Sequence, residues 1–159
     1  PISTVTSAFV NMILTFLVVF GVVIIAGRTI NPLALLCLPV VMIVEYILCL
    51  GIALIVSSIT VYLRDLQYIL GIFVMALQYM TPVMYGVDMV ERSGAGQWLI
   101  LIFNLNPMTP IIKIYRQIIY YGEVPELGSL LLAVIIGVVF IIIGELLFKK
   151  LQKGFAEEF

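Results

Sequence analysis

Residues 51–85 read GIALIVSSITVYLRDLQYILGIFVMALQYMTPVMY, and this stretch decides how the chain folds. Two apolar runs meet in it at a single charged dipeptide, Arg64-Asp65, and the second run ends at Thr81-Pro82. Inside a lipid bilayer the backbone must satisfy its own hydrogen bonds, so apolar runs of this kind predict helices. The charged dipeptide predicts a tight turn at one bilayer face, because charged groups remain in interfacial water. The stretch as a whole therefore predicts a membrane hairpin.

The composition of the chain predicts a polytopic helical membrane protein. Of its 159 residues, 64% are hydrophobic and only 11% are charged, which is far more apolar surface than a water-soluble domain of this size needs. The formal net charge of −1 argues against nucleic acid as a partner, because no basic face exists to neutralise phosphates. There is no histidine, and Cys37 and Cys49 lie in apolar runs. This position favours small buried hydrophobes over a disulfide or a metal site.

Outward from this hairpin, the apolar runs predict four membrane crossings within one transmembrane domain that covers residues 1–159. The predicted crossings are about residues 5–27, 33–61, 66–86 and 127–148. The second run is too long for one upright crossing of about 30 Å of hydrocarbon. We expect either that it tilts or that its last turns, which contain Ser57 and Ser58, leave the bilayer as an interfacial helix. The chain begins at Pro1 and enters an apolar run at once, so we expect it to be a portion of a longer polypeptide.

The positive charges give the predicted orientation. Lys149, Lys150 and Lys153 follow the last crossing directly, which favours a cytoplasmic C-terminus by the positive-inside rule. Four crossings then place the N-terminus and the Arg64-Asp65 turn in the cytoplasm and the Asn106-Pro107 segment outside. All the lysines and arginines together divide evenly over the two sides, so the position of the lysine cluster directly at a helix end decides the orientation.

Residues 98–121 do not resemble an ordinary crossing. The segment reads WLILIFNLNPMTPIIKIYRQIIYY, an apolar run broken by Asn106, Pro107 and Pro110 that also carries Lys113 and Arg116. Irregular backbone at membrane depth is tolerated only where protein shields it or where it lines a wet cavity. The segment therefore predicts a re-entrant or interfacial helical pair.

The chain carries no recognisable catalytic constellation. It has no nucleophile elbow, metal-ligand cluster or phosphate-binding Gly-rich loop, so we expect no enzyme activity, no cofactor and no ATP hydrolysis by this chain. Energy for any transport must come from a partner or a gradient. Glu45 lies deep in the second run, where a carboxyl group is a functional candidate as a proton carrier or polar lining. The alternative is a structural carboxyl that is hydrogen-bonded and packed inward.

Aromatic and basic side chains gather near the polar interruptions. Aromatic rings such as Tyr79, Tyr85 and Phe103 suit a path for sugars, because the C–H faces of a sugar pack on rings while its hydroxyls stay wet. They also suit an aromatic belt at the outer interface, which we favour for Tyr121. Lys113 and Arg116 suit binding of an anionic substrate or of a lipid phosphate, and equally suit snorkelling anchors.

Together these elements resemble the permeases of ATP-binding-cassette exporters. The resemblance rests on the Arg64-Asp65 hairpin with its flanking runs, on QYMTPVMY at residues 78–85, on NPMTPII with a following Tyr-Arg at residues 106–116, and on GELLFKK and FAEE near the C-terminus. It covers essentially the whole chain in the same order. More narrowly, the resemblance is to the exporters of polysaccharides and polyol phosphates, which transport O-antigen, capsule and teichoic acid.

The resemblance implies a fold and a set of partners. Such permeases have six membrane helices per subunit, form homodimers in the cytoplasmic membrane of prokaryotes, and pair with two separate ATPase subunits. The four predicted crossings would correspond to the last four, and the first two, with an amphipathic interfacial helix, would precede Pro1. The segment between the last two helices would form short gate helices at the outer surface, which agrees with the re-entrant prediction for residues 98–121.

The leading function is therefore export of a lipid-linked polymer, powered by ATP binding on a partner. In this hypothesis Arg64 and Asp65 lie near the ATPase. The residues predicted to line the path are Phe73, Tyr79, Tyr85 and Phe103. The residues predicted to form the outer gate are Asn106, Pro107, Lys113 and Arg116. The alternatives are a proton-coupled secondary transporter that uses Glu45, and an ATP-binding-cassette permease for drugs or lipids.

Overall fold

The computed structural model describes residues 2–25, 27, 31–62, 66–80 and 106–152, and all of its regular structure is helical. The elements are α1 (Ile2–Ile25), α2 (Pro32–Tyr62), α3 (Leu66–Met80), α4 (Met108–Arg116), a π-helical turn (Gln117–Tyr121) and α5 (Leu127–Gln152). The prediction of an all-α membrane protein is confirmed. Three of the described helices, α1, α2 and α5, are long and apolar enough to cross a bilayer.

The turn between α1 and α2 uses local backbone chemistry. Gly27 adopts a left-handed φ of 69°, which glycine accepts without steric penalty, and its N–H donates to the Ile24 carbonyl at 3.0 Å. Asn31 then caps α2, because its side-chain oxygen accepts a 3.1 Å hydrogen bond from the N–H of Leu33. Pro32 begins the helix, where its missing N–H leaves no intrahelical bond unmade.

Helices α2 and α5 form the main packed pair, and glycines let their backbones touch. A Cβ added at Gly51 would lie 2.6 Å from the backbone nitrogen of Ile141, and one added at Gly144 would lie 2.7 Å from the Gly51 carbonyl oxygen. Such close approach is typical of membrane helices with small residues at their interface. Nearer the N-terminal ends of both helices, Gly137 lies against Val44 of α2. Rising residue numbers on α2 thus match rising numbers on α5, so the two helices are parallel.

Parallel packing of α2 and α5 constrains the path of the chain between them. After α2 the chain must return to the side on which α2 began before α5 can start. Helix α3 follows α2 directly and has fifteen described residues, about 22 Å at 1.5 Å per residue. This length and its apolar sequence fit the predicted third crossing, whose remaining part, residues 81–86, lies outside the described residues. The total of four crossings stays a prediction.

The buried core lies toward the N-terminal end of α2. It is formed where α2 meets α4, the π-helical turn and α5. Its members are Ala34, Leu38, Val41, Met42, Val44, Leu48, Ile111, Ile114, Ile118 and Ala133. By contrast α1 has no buried residue, and α3 presents most of its apolar side chains outward. Exposed apolar faces of this extent are what lipid or further helices cover in a membrane protein.

Helix α2 is continuous over 31 residues, about 46 Å, which exceeds the hydrocarbon thickness that motivated the prediction of tilt. In its last turns the polar side chains form hydrogen bonds within the helix. The hydroxyls of Ser57 and Ser58 both donate to the Leu54 carbonyl, at 3.1 and 2.7 Å. These hydroxyls therefore need no water partner. On α5, Lys149 Nζ lies 3.5 Å from Glu145 Oε2, an exposed i, i+4 ion pair.

Candidate functional site

Helix α4 forms the centre of the candidate site because it packs between α2 and α5. It is nine residues long, and its apolar face enters the core through Ile111 and Ile114, with Ile118 following in the π-helical turn. Pro110 is buried and occupies the first turn of α4, where the absence of an N–H is harmless. The short helix is therefore held by protein on its apolar face, as the re-entrant prediction requires.

The chain enters α4 through an asparagine turn. Asn106, which is 8% exposed, accepts a 3.0 Å hydrogen bond at its side-chain oxygen from the N–H of Met108. Its carbonyl accepts a second bond, also 3.0 Å, from the N–H of Thr109. Pro107 lies between them with a φ of −62°, the value its ring imposes. The Asn-Pro pair predicted as an interruption is thus the structural start of the helix.

The chain leaves α4 through a wider turn. Residues Gln117–Tyr121 are π-helical. This local form is rare in proteins overall, and where it occurs it is often found at functional sites. Gly122 ends it with a left-handed φ of 68°, and the N–H of Glu123 donates to the Gln117 carbonyl at 3.0 Å. The wide turn keeps Ile118 buried while Tyr120 and Tyr121 are exposed, with their rings edge-on at 5.0 Å between centroids.

Glu45 of α2 and Tyr115 of α4 make the principal polar contact of the site. The Tyr115 hydroxyl donates to Glu45 Oε2 at 2.6 Å, a short distance typical of an O–H bond to a carboxylate. The ring of Tyr115 stacks on Phe16 of α1, with centroids 5.1 Å apart and planes inclined by 29°. One side chain of α4 therefore contacts both α1 and α2.

A groove of about 340 Å³ lies beside this contact, between α1 and α2. Its lining is mostly apolar and consists of Thr4, Val5, Ala8, Phe9, Met12, Glu45, Tyr46 and Cys49. The Phe9 and Tyr46 rings are 4.8 Å apart, and the Tyr46 hydroxyl is 2.9 Å from the Thr6 hydroxyl. These contacts join the two helices at the groove and leave Glu45 as its acidic group.

The structure places the residues predicted for the gate together on one short element. Asn106 and Pro107 form the start of α4, while Lys113 and Arg116 lie half-buried along it. The assignment of a gate to this element is untested by these contacts and stays a prediction.

The predicted path residues are described only on α3. Phe73 and Tyr79 are 56% and 76% exposed there, so they face away from the packed core. The remaining predicted residues, Tyr85 and Phe103 of the path and Arg64 and Asp65 of the hairpin, lie outside the described residues.

The sequence reasoning missed the pairing of Glu45 with Tyr115. A carboxyl in an apolar run needs a polar partner, and this need was recognisable from the sequence. The partner was not, because the contact joins residues 70 positions apart and several tyrosines offered the same donor. Phe16 carried no signal of its own among the many apolar residues of α1.

The described residues hold no group of three or more His, Cys, Asp or Glu side chains that could bind a metal. Cys37 and Cys49 are both free thiols. The site therefore consists of hydrogen bonds, stacked rings and apolar packing, which suit the positioning of a helix and the binding of an uncharged or amphipathic surface.

Comparison with known proteins agrees with this architecture. The ABC-2 type transporter family matches residues 2–120. Two curated relatives from Klebsiella pneumoniae, each named O-antigen export system permease protein RfbA, are 27% and 26% identical to the chain. Each comparison covers 99% of this chain and 58% of the relative, so the chain spans a little more than half the length of these relatives. No solved structure matches the chain. The family match covers most of the chain, including α1, α2, α3 and α4, and on this basis the chain belongs to the ABC-2 type transporter family of membrane proteins.

Proposed function

We propose that this chain is part of the permease of an ATP-binding-cassette exporter that moves a lipid-linked polysaccharide or polyol phosphate across the cytoplasmic membrane of a prokaryote. ATP hydrolysis takes place on a separate ATPase subunit, and two permease subunits form the conduit. The observation that carries the proposal is the similarity, over 99% of the chain, to permeases named for O-antigen export.

The geometry around α4 supports the proposal. A short helix bounded by an asparagine turn and a π-helical turn packs between two parallel helices. Tyr115 on this helix reaches Glu45, which is thirteen residues from the start of α2, or about 20 Å along its axis. Under the predicted orientation that start faces outside, so α4 lies along the outer part of α2. This is where a gate at the exit of an export path belongs.

The proposed mechanism has three parts. ATP binding on the partner subunits tilts the membrane helices, and the Arg64-Asp65 hairpin receives that movement on the cytoplasmic side. Phe73, Tyr79, Tyr85 and Phe103 offer ring faces to the sugars of the polymer. The Asn106–Arg116 segment opens at the outer surface to release it, with Lys113 and Arg116 near the anionic groups of the polymer or of lipid.

The direct test is complementation in cells that lack their own O-antigen permease. We expect the native protein that carries this chain, together with its partner ATPase, to restore polymer at the cell surface. The same cells with an ATPase whose Walker A lysine is replaced are the control and are expected to show none. Purification from the complemented cells is expected to recover the ATPase. Recovery of the protein without any ATPase would contradict the proposal, and surface polymer that persists with the inactive ATPase would point to a gradient-driven transporter.

The hairpin has its own test. The double variant Arg64→Ala/Asp65→Ala is expected to reduce surface polymer while the protein still inserts into the membrane, because the change affects the input from the ATPase and leaves the apolar runs intact. Surface polymer is measured by antibody binding and membrane insertion by immunoblotting of washed membranes. The control is Glu145→Ala/Lys149→Ala, which removes an exposed pair of opposite charges on α5. Unchanged export in the hairpin variant would remove Arg64 and Asp65 from the mechanism.

A further inference from the structure

Helix α4 is attached to its neighbours by two kinds of contact that act differently. Ile111 and Ile114 are buried in the core, and the hydrophobic attraction that holds such side chains is non-directional. The bond from Tyr115 to Glu45, at 2.6 Å, depends on distance and angle. It therefore fixes the rotation and height of α4 on α2, which the apolar contacts alone do not specify.

Glu45 is well suited to this single task. The carboxyl accepts a hydrogen bond from Tyr115, and within the described residues no lysine or arginine forms an ion pair with it. A polar group in an apolar setting is costly unless it is hydrogen-bonded, so losing the tyrosine would leave the carboxyl poorly satisfied. Phe16 stacks on the same ring and limits the positions that the hydroxyl can take.

The ends of α4 make one polar anchor sufficient. Asn106 defines the start of the helix by accepting two hydrogen bonds, one at its side-chain oxygen and one at its backbone carbonyl, and the π-helical turn closed by Gly122 defines its end. A nine-residue helix with structured turns at both ends moves as one body, so the bond at Tyr115 together with the buried Ile111 and Ile114 positions all of it.

We propose that Glu45 is a positioning residue that holds the outer gate helix α4 in place through Tyr115. Glu45 contacts no polymer in this scheme, and its carboxyl serves as a hydrogen-bond acceptor. The inference rests on the proposed function for the assignment of α4 as a gate, whereas the contact itself does not depend on that assignment. It also gives Glu45 a role that differs from the proton carrier considered from the sequence.

The test measures where α4 lies without requiring export. A single cysteine is placed by Met108→Cys at the start of α4, in a background in which Cys37→Ala, Cys49→Ala and alanine at any cysteine elsewhere in the native protein remove the natural thiols. Intact cells that carry the native complex are treated with a membrane-impermeant maleimide, and the rate of labelling is measured. Glu45→Ala and Tyr115→Phe are each expected to raise this rate about fivefold, the size expected for loss of one hydrogen bond. The double variant is expected to be no faster than either single variant, because both remove the same bond.

The controls separate positioning from general loosening. Glu45→Gln retains an acceptor oxygen and is expected to label at close to the unaltered rate. Tyr46→Phe removes a comparable hydroxyl contact between α1 and α2 without touching α4 and is expected to have no effect. Unchanged labelling rates in both Glu45→Ala and Tyr115→Phe would overturn the inference, as would equal rates for Glu45→Gln and Glu45→Ala. Additive effects in the double variant would also overturn it, and so would a lack of labelling at position 108 in every variant. The expected labelling pattern without any ATPase-dependent export would leave the pair standing and refute the proposed function. ATPase-dependent export without that labelling pattern would refute the positioning role of Glu45 and leave the proposed function standing.

Discussion

At the scale of single residues, two asparagine-proline pairs start helices in the same way. Asn31 and Asn106 each accept a hydrogen bond from the N–H two positions ahead, at 3.1 and 3.0 Å. The intervening proline has no N–H to satisfy. In an apolar chain these two features matter, because the first N–H groups of a helix have no partner within the helix and must otherwise be satisfied. The two pairs therefore define where α2 and α4 begin.

We expect Asn31→Ala to lower the free energy of unfolding by about 1 kcal/mol, the usual effect of losing a side-chain cap. Asn31→Asp retains an acceptor oxygen and is expected to unfold like the unaltered protein. The measurement is denaturant unfolding of the protein purified in detergent. Asn11→Ala, in the middle of exposed α1, is the control and is expected to have little effect. Equal unfolding of the alanine and aspartate variants at position 31 would show that the cap contributes nothing.

Two exposed tyrosines test the predicted path. We expect Tyr79→Ala to slow polymer export more than Tyr121→Ala, because Tyr79 is predicted to face the polymer, whereas Tyr121 pairs edge-on with Tyr120 as in an aromatic belt. Both side chains are more than half exposed, so neither change should create a cavity. The rate at which polymer reaches the surface after induction is the measurement. Equal effects would assign both tyrosines to the belt.

At the scale of helices, the contact between α2 and α5 leaves no room for a side chain at Gly51. A Cβ there would meet backbone atoms of Phe140 and Ile141 at 2.6 Å, and backbone atoms cannot move aside as a flexible side chain can. We expect Gly51→Ala to destabilise the protein by about 1–3 kcal/mol, the range found when a packed interior is overfilled. The measurement is the melting temperature in detergent.

Gly128→Ala is the matched control for this substitution. Gly128 lies in the first turn of α5, with no atom within 4 Å of an added Cβ, so alanine there should be neutral or slightly favourable. A Gly51→Ala protein that melts like the Gly128→Ala protein would show that the two helices separate easily at this point.

The helices themselves were predictable from the sequence, and their partners were not. Apolar runs and the broken segment at residues 98–121 located α1, α2, α5 and the α4 region, because these signals are local. Which faces meet is decided by contacts across the chain, such as Gly51 against Ile141 or Glu45 against Tyr115. In helices that are apolar on nearly every side, no periodicity marks the face that packs. The site was therefore predictable as a segment and not as a set of contacts.

At the scale of the whole molecule, the parallel α2–α5 pair places the starts of both helices toward one face, and the lysine cluster predicts that this face is outside. We expect a cysteine introduced by Thr29→Cys to react with an impermeant maleimide in intact cells, because the turn between α1 and α2 would face outside. A cysteine introduced by Lys153→Cys, after α5, should react only once the membrane is opened. Both variants are made without Cys37 and Cys49, and the cysteine-free protein is the control for background labelling.

The reverse pattern would invert the orientation and leave the parallel packing intact. Labelling of both positions from the same side would contradict the parallel packing itself, because a helix pair that runs in one direction cannot have the start of one helix and the end of the other on the same face of the membrane.

The parallel arrangement of α2 and α5 has an electrostatic consequence. Peptide dipoles sum along a helix to roughly half a positive elementary charge at its N-terminus and half a negative one at its C-terminus. In an antiparallel pair these partial charges largely cancel, whereas here Pro32 and Leu127, the first residues of α2 and α5, lie toward the same face. One face of the packed pair therefore carries two positive ends and the opposite face two negative ones, so this pair is polarised along its axis before any charged side chain is considered.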